Sequence, residues 1–249
     1  MSRVFCPVVK ARPGARPWLD RIGSRLVARR AGADGIRQVT EVAERNRDRV
    51  ARRQVDKFAE RRAELAAAAL QTLAELGYAR TSLREIAQNS NFSHGVLHYY
   101  FSDKIELITY CVRQYKAECV TKYDDIVATA TSADELRAGI GAVMAGTLRD
   151  DARLHRLWYD LRNQSVFDDS YRKDVQEIDQ SLERMIWRIV SRYSELAGLP
   201  VAVSPSLAYA IYDGIFQHAL IAYLGGSEAA AVELQSNTER ILASLVSPG

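Results

Sequence analysis

The sequence predicts an all-α protein with two helical domains, and its composition and residue patterns support this. Apolar residues make up 47% of the 249 residues and charged residues 26%, which is typical of a chain with a substantial core. Apolar residues recur three and four positions apart, in segments that begin at Ser, Thr or Asp. The strict apolar–polar alternation that indicates β-strands is missing, so we expect no sheet.

The first 40 residues are predicted to form a flexible basic arm. Three prolines and four glycines interrupt the first 35 residues. Residues 1–56 hold 14 Lys and Arg against 6 Asp and Glu, whereas the remaining residues carry a net charge of −5. This asymmetry suggests that the basic end contacts a polyanion. An organelle transit segment is the alternative that the Arg-rich start leaves open.

Residues 41–104 are predicted to form the first packed domain. A basic helical lead-in precedes a packed helix over 58–76, which we expect to end at Gly77. Ser82 and Ser93 are then placed to cap two short helices, and a Glu three residues after Ser82 completes a capping box.

Residues 105–249 are predicted to form a second, larger helical domain. Its helices are expected near 103–130, 133–148, 151–166, 170–197, 205–224 and 227–246. Ser102 is expected to cap the first of these helices, which would join both domains. Gly198 stops one helix, and Pro205 occupies the first turn of another.

Two short helices that follow a packed helix and are joined by a tight turn indicate a helix-turn-helix. The side chains that the core does not need cluster at the start of the second short helix: Ser93, His94, Gly95, His98 and Tyr99. A helix N-terminus offers free N–H groups to phosphate, and a glycine lets the backbone approach a duplex closely. The pattern therefore predicts that this helix enters the major groove of DNA.

The same stretch carries a longer residue pattern: Thr81-Ser82, Ile86-Ala87, Phe92-Ser93-His94-Gly95-Val96-Leu97-His98-Tyr99-Tyr100-Phe101, Lys104 and Leu107. This pattern resembles the TetR family of bacterial one-component transcriptional repressors, and the match covers about fifty residues. Two positions depart from the family pattern. Asn91 stands where the family usually has Gly, and His98 stands where it usually has Tyr, which alters one phosphate contact.

The resemblance implies a set of DNA-contacting residues: Ser82, Arg84, Ser93, His94, Gly95, His98, Tyr99 and Lys104. Some of these serines would cap helices whatever the function. The i,i+4 spacing of His94 and His98 also suits a metal ion, but no carboxylate-rich set nearby completes such a site. We therefore expect no metal and no cofactor.

The resemblance also implies that the second domain holds a ligand pocket and a dimer interface formed by the last two helices. Ordinary packing within one chain is the alternative for the apolar residues of those helices. Polar groups among buried aromatic rings need partners, and this criterion selects the pocket candidates Cys111, Trp158, Tyr212, Phe216 and Gln217.

One branch of the family gives a more specific expectation for the pocket. Trp158 and the stretch YDGIFQHAL resemble the choline-responsive branch, which implies an aromatic cage for a quaternary ammonium group. The alternative is that these aromatic residues only pack the core.

The sequence thus predicts a DNA-binding transcriptional regulator, a homodimeric repressor that a small molecule releases from a palindromic operator. A distal domain that binds a protein partner is the first alternative. A helical enzyme is the second, although no convergent acid, base or metal set supports catalytic residues. Three cysteines without a Cys-x-x-Cys pair suit a reducing cytoplasm, and no apolar run reaches the ~20 residues of a membrane span.

Overall fold

The computed structural model describes the backbone of residues 18–77 and 81–247, and the side chains of residues 45, 47–77 and 81–247. In these ranges the chain forms α1 (Trp18–Leu76), α2 (Leu83–Gln88), α3 (His94–Tyr100), α4 (Lys104–Cys119), α5 (Asp124–Thr129), α6 (Ala133–Phe167), α7 (Asp169–Ala197), α8 (Pro205–Leu224) and α9 (Ala230–Ser244). The prediction of an all-α fold is confirmed. None of the described helices combines the length and apolar character that crossing a membrane requires.

Helix α1 begins far earlier than the sequence predicted. Residues 18–40 were expected to belong to a flexible arm, but they are helical in the structure. No proline follows Pro17 until Pro200, and Ala, Arg and Leu outnumber the glycines in this stretch, so helix propensity is sufficient. The other residues of the expected arm, 1–17, lie outside the described residues.

The chain divides into two units, residues 1–60 and residues 61–249. The described side chains of the first unit are all exposed to solvent. The second unit contains the last part of α1 and helices α2 to α9. Residues 61–104 therefore belong to the same unit as 105–249, and the predicted boundary between a DNA-binding and a distal domain stays a prediction.

The helix-turn-helix packs on the last turns of α1. The three helices share one apolar core. Its fully buried members include Leu65 and Leu73 of α1, Ile86 of α2 and Leu97 of α3. Helix α1 ends as predicted, because Gly77 adopts a left-handed conformation with φ of 78° and its N–H donates to the Leu73 carbonyl at 2.8 Å.

The predicted starts of the two short helices are confirmed. The Ser82 hydroxyl accepts from Glu85 N at 3.2 Å, and the Glu85 carboxylate accepts from Ser82 N at 2.7 Å, which completes the capping box. Ser93 caps α3 by accepting from Val96 N at 3.3 Å. Three or four residues suffice to specify these interactions, which is why the sequence predicted them.

The predicted cap of α4 was wrong by one residue. Asp103, and not Ser102, occupies the N-cap, where its carboxylate accepts from Glu106 N at 2.8 Å. Ser102 is engaged elsewhere, since its N–H and its hydroxyl donate to the Glu106 carboxylate at 2.8 Å and 2.9 Å. An ionised carboxylate is a stronger acceptor for a helix N-terminus than a hydroxyl, because it also complements the helix dipole.

One predicted helix in the distal region is divided in the structure. The single helix expected over 103–130 forms α4 and α5, and Arg188 of α7 donates to the Val120 carbonyl at 3.0 Å beside the break. The two helices expected over 133–148 and 151–166 form α6, whose backbone leaves the helical conformation at Asp151 (φ −122°, ψ 17°), so the predicted break is present as a kink. Asp151 pairs there with Lys122, which lies between α4 and α5.

Helix α6 is the centre of the distal helices and packs against α7, α8 and α9. The largest side chains buried there are Trp158 of α6, Tyr171 of α7 and Tyr212 of α8. The end of α7 at Gly198, with φ of 67°, and the start of α8 at Pro205 agree with the predictions. This packing leaves a cavity between α4, α6, α7 and α8, which is described below.

Replacing Gly77 by alanine is expected to lower the free energy of unfolding by about 1 kcal/mol, because the positive φ is unfavourable for a residue with a Cβ. A Cβ at this position meets only an oxygen of Asp160 at 3.9 Å, so no clash contributes. Urea denaturation measures the effect. The control is Gly146→Ala inside α6, which should leave stability unchanged or raise it by up to about 1 kcal/mol. Equal effects of the two substitutions would contradict the backbone explanation.

Candidate functional site

The outward face of α3 consists of the residues that the sequence placed there. Ser93, His94, Gly95 and His98 are exposed, and Tyr99 is 73% exposed, whereas Leu97 of the same helix is fully buried. This seven-residue helix thus buries its apolar side in the core and exposes the side that carries His94, Gly95, His98 and Tyr99. This exposure is the condition that contact with DNA requires.

Nothing in the described part of the chain explains why residue 95 is a glycine. A Cβ built on this residue meets no atom within 4 Å, and the glycines with positive φ in the described chain are Gly77, Gly198 and Gly226. Glycine inside a helix costs roughly 0.5 to 1 kcal/mol relative to alanine. Neither backbone conformation nor internal packing therefore explains a glycine at the second position of α3.

The two histidines of α3 contact each other. Their ring centroids lie 4.4 Å apart in an edge-to-face arrangement. Within residues whose side chains are described, no group of three His, Cys, Asp or Glu is placed to hold a metal ion. The pair is thus an exposed aromatic and polar surface next to Tyr99.

The other predicted DNA contacts surround α3. Ser82 and Arg84 are exposed at the start of α2, and Lys104 is the half-buried first residue of α4. The Ser82 hydroxyl already accepts the capping hydrogen bond, so only its own O–H remains for an external acceptor. The predicted contacts accordingly lie near the N-termini of α2, α3 and α4.

Two arginines of α1 contact the turns on either side of α3. The Arg61 guanidinium lies 5.0 Å from the centre of the Phe92 ring in the α2–α3 turn. The Arg62 guanidinium lies 4.7 Å from the Phe101 ring centre and pairs with Glu106. Their signal in the sequence was only their position one turn before Leu65, on the side that becomes buried.

Glu106 links three elements through one carboxylate. It accepts from Arg62 of α1, from the N–H and hydroxyl of Ser102, and it lies in the first turn of α4. Partial burial raises the pKa of Glu106, but the hydrogen bonds from Ser102 and the charge of Arg62 outweigh burial and hold its pKa below the usual value. The carboxylate is therefore ionised at neutral pH and fixes the turn between α3 and α4.

A cavity between α4, α6, α7 and α8 is the candidate ligand site of the distal helices. Its volume available to water-sized molecules is about 60 Å³. Trp158, Tyr212 and Phe216, three of the five predicted pocket residues, lie in its wall. The remaining wall residues are Lys116, Cys119, Tyr123, Met144, Thr147, His155, Tyr159, Leu182, Met185, Ile186, Tyr209 and Asp213.

The other two predicted pocket residues lie outside the cavity wall. Cys111 packs between α4 and α1, where its thiol donates to the Ala66 carbonyl at 3.2 Å and burial raises its pKa. Gln217 is half-buried next to Phe216, but a neighbouring position on a helix points about 100° away, so only Phe216 reaches the cavity. Spacing along a helix was not enough to separate these positions without the packing of the neighbours.

The sequence did not predict the buried polar pair in the cavity wall, Lys116 and His155. The Lys116 ammonium of α4 is buried, and Nζ lies 3.0 Å from His155 Nδ1 of α6. Because an ammonium has only protons to donate, Nδ1 is the acceptor and the neutral imidazole carries its proton on Nε2. His155 Nε2 is buried and has no hydrogen-bond partner.

Burial controls the protonation of this pair. It lowers the pKa of Lys116 to about 8, so the ammonium is still charged at pH 7. Burial and, after it, the charge of Lys116 lower the pKa of His155 well below 6.5, which keeps the imidazole neutral. The lysine occupies the apolar side of α4 between Val112 and Cys119, and that position was the signal in the sequence.

An ionic network closes the end of the cavity near α8. Arg162 of α6 pairs with Asp213 of α8 at 2.5 Å and with Asp179 of α7 at 3.5 Å. Tyr159 donates to the Asp213 carboxylate at 3.0 Å, and Tyr209 donates to Asp179. Both carboxylates therefore already have donors of their own.

Arg156 connects α6, which lines the cavity, to the end of α1. Arg156, which follows the cavity residue His155 on α6, donates to the Ala74 carbonyl at 2.7 Å and to the Glu75 carbonyl at 3.4 Å. These carbonyls belong to the last turn of α1, which lacks partners within its own helix. A movement of α6 therefore acts directly on the helix that supports α2 and α3.

The comparisons with known proteins give the same assignment for the N-terminal site. Residues 65–111 match the family model described as "Bacterial regulatory proteins, tetR family". This range contains the end of α1, both short helices and the first half of α4. No curated protein sequence matches the chain.

Solved structures of similar fold cover most of the chain. FadR from Bacillus subtilis in complex with stearoyl-CoA has 17% identity and a TM-score of 0.60, with 74% of this chain and 98% of that chain covered. A TetR transcription regulator from Haloarcula marismortui has 14% identity and a TM-score of 0.63, with 76% and 100% covered. A putative TetR-family regulator from Mesorhizobium loti has 18% identity and a TM-score of 0.57, with 76% and 96% covered.

Lys116→Met is expected to raise the free energy of unfolding at pH 7, by roughly 1 to 3 kcal/mol, because it removes a charge from an apolar site. The folded-state pKa of about 8 lies below the ordinary 10.5, so between these values the unfolded chain binds more protons and the wild type gains stability as pH rises. Urea denaturation at pH 7 and pH 10 should show the difference between variant and wild type shrinking.

The same substitution at Lys173, which is exposed on α7, serves as the control and should leave stability unchanged at both pH values. A Lys116→Met variant that is less stable than the wild type at pH 7, or a difference that does not change with pH, would contradict the burial of a charged ammonium.

Proposed function

Since the chain belongs to the TetR family of bacterial regulatory proteins, we propose that it is a transcriptional repressor released from its operator by a small molecule. The observation that carries the proposal is the exposed N-terminal half of α3, with a glycine that the chain's own packing does not need. In this proposal the protein acts in the cytoplasm, as a regulator and not as an enzyme.

The residues proposed to contact DNA are those around the N-termini of α2, α3 and α4: Ser82, Arg84, Ser93, His94, Gly95, His98, Tyr99 and Lys104. Hydroxyl, imidazole and phenol groups of α3 would meet phosphates and base edges, and the bare Gly95 backbone would allow α3 to lie deep in the major groove. Arg84 and Lys104 would bind backbone phosphates and add affinity that depends on salt.

A homodimer would present two copies of α3, and α8 and α9 are proposed to form its interface. Four large apolar side chains are exposed on these helices: Leu207 at 49%, Ile221 at 67%, Leu224 at 43% and Val232 at 69%. Leu220, Leu242 and Leu245 of the same region are buried within the chain instead. Two-fold symmetry would then match a pseudo-palindromic operator with half-sites about 34–36 Å apart.

The cavity between α4, α6, α7 and α8 is the proposed effector site. Of the solved structures of similar fold, FadR from Bacillus subtilis is in complex with stearoyl-CoA, which supports small-molecule binding by a protein of this fold. In the cavity wall the buried His155 Nε2 has no partner among the described residues, which favours a ligand over a protein partner for the distal helices.

Two helices connect the proposed effector site with the proposed DNA interface. Helix α4 carries Lys104 at its start and Lys116 in the cavity, about 18 Å apart along the helix. Helix α6 carries His155 in the cavity and Arg156 on the end of α1. An effector that displaces either helix would change the spacing of the two α3 helices in the dimer, so DNA and effector would oppose each other by typically 1–3 kcal/mol.

Gly95→Ala is expected to keep or raise the melting temperature while lowering DNA affinity at least tenfold, because the added methyl group would separate the α3 backbone from the duplex. The DNA is obtained by selecting tightly bound duplexes from a random pool, and the dissociation constant is measured by fluorescence anisotropy at fixed salt.

Gly146→Ala in α6 is the matched control, with DNA affinity expected to match the wild type. Failure of the wild-type protein to enrich any duplex, or unchanged affinity in the Gly95→Ala variant, would count against α3 as the DNA-reading helix.

Arg156→Gln is expected to abolish the effect of DNA binding on α6, because it removes the guanidinium that bonds to the carbonyls of α1. In the wild type, saturating selected DNA should slow amide hydrogen exchange in α3 and also in residues 152–161 of α6. In the variant the protection of α3 should remain and that of α6 should be lost. Equal protection of α6 in both proteins would show that Arg156 does not transmit the effect.

A further inference from the structure

We propose that the cavity takes a small, largely apolar carboxylic acid in its ionised form, with the carboxylate bound by Lys116 Nζ while the Nδ1 of His155 holds the ammonium in place. The proposal rests on the proposed function only for its consequence, namely that this acid is the effector. The binding site itself is argued from hydrogen-bond donors, charges and the composition of the wall.

The cavity wall contains a buried ammonium with unused N–H groups. Lys116 uses one of its three N–H groups on His155 Nδ1, and within the described side chains no carboxylate lies within 4.0 Å of its ammonium. The ring proton of His155 lies on Nε2, a buried atom for which the described residues provide no acceptor. Both groups belong to residues of the cavity wall.

A buried charged donor without an acceptor lowers stability. Nδ1 and Nε2 direct their hydrogen bonds to different sides of the imidazole ring, so a ligand group that binds Lys116 beside Nδ1 does not reach the Nε2–H. A carboxylate accepts from the free N–H groups of Lys116 and also neutralises the ammonium. A neutral acceptor would satisfy the hydrogen bonds but leave the buried charge unpaired.

The nearby carboxylates do not supply this charge themselves. Asp213 accepts from Arg162 and Tyr159, and Asp179 accepts from Arg162 and Tyr209. Arg162 lies between the two acids, so this network keeps its own charges paired at the α8 end of the cavity. Within the described chain, the ammonium of Lys116 in the cavity wall thus has no carboxylate bound directly to it.

The rest of the wall selects the body of the ligand. Trp158, Phe216, Leu182 and Ile186 present apolar surface, and two methionines, Met144 and Met185, are side chains that adapt easily to the shape of a ligand. The volume of about 60 Å³ is too small for an organic acid as it stands, so these flexible side chains must move to admit one. A short alkyl or single-ring carboxylate requires the least movement.

A quaternary ammonium ligand, which the sequence resemblance suggested, fits the same geometry poorly. The Lys116 ammonium lies 5.3 Å from the centre of the Trp158 ring and already occupies the position of a cation over that aromatic face. A second cation in a cavity of this size would face the ammonium in a medium of low polarity. Choline, a cation, is therefore the probe that distinguishes a cation-binding site from the proposed anion-binding site.

The experiment measures binding of five acids, butanoate, hexanoate, octanoate, decanoate and benzoate, to the full-length protein by isothermal titration calorimetry at pH 7. The corresponding primary amides and choline are the matched probes. At least one acid is expected to bind ten times more tightly than its amide, and choline is expected not to bind. The proposal is overturned if none of the acids binds, if amides bind as tightly as acids, or if choline binds more tightly than every acid.

Variants assign the binding to Lys116 and to the imidazole that orients it. Lys116→Met should weaken the best acid at least tenfold while the affinity of its amide changes less than threefold, and His155→Leu should also weaken the acid. Lys173→Met on the exposed side of α7 is the control and should bind like the wild type. An acid that binds equally well to Lys116→Met would overturn the assignment, and urea denaturation of the same samples confirms that each variant is folded.

The binding test and the test of function fail in different ways. If an acid binds through Lys116 but leaves the affinity for the selected DNA unchanged, the acid site stands and its role as effector site is refuted. If the protein binds DNA but none of the acids, the repressor proposal stands and the acid site is refuted.

Discussion

The last turns of α1 are the constraint on which the described fold of residues 61–249 depends. Leu65 and Leu73 form the common wall for the two short helices, and Arg62 pairs with Glu106 at the start of α4. On the same helix, the carbonyls of Ala66 and Ala74 accept hydrogen bonds from α4 and α6. One helical segment thus packs with α3 in one core and receives hydrogen bonds from α4 and α6, two of the four helices that line the cavity.

The two proposed sites share a physical feature, because each contains a residue that lowers stability without an internal benefit. Gly95 gives up helix propensity although no neighbour would touch a Cβ there, and Lys116 keeps a charge in an apolar environment. Local rules are typically broken where function requires it, since the gain is realised only with an external partner. At Gly95 that partner is proposed to be a duplex, and at Lys116 an anion.

Much of the N-terminal site could be predicted from the sequence, whereas the cavity could be predicted only in part. The caps at Ser82 and Ser93 and the exposed face of α3 follow from residues at most five positions apart. In the cavity, three aromatic candidates were right in position, but Cys111 and Gln217 face other surroundings. The polar pair was not predicted because Lys116 and His155 are 39 residues apart in the chain and come into contact only in the folded protein.

The sequence by itself determined the helical class, the helix-turn-helix and most helix ends, because caps and apolar periodicity act within one or two turns. Only the tertiary structure decided where the helix that begins at Lys104 is interrupted and which side chains share the cavity. These outcomes depend on ion pairs and burial between residues far apart in the chain, such as Lys122 with Asp151. Such energies do not exist until the helices are packed, so no local pattern encodes them.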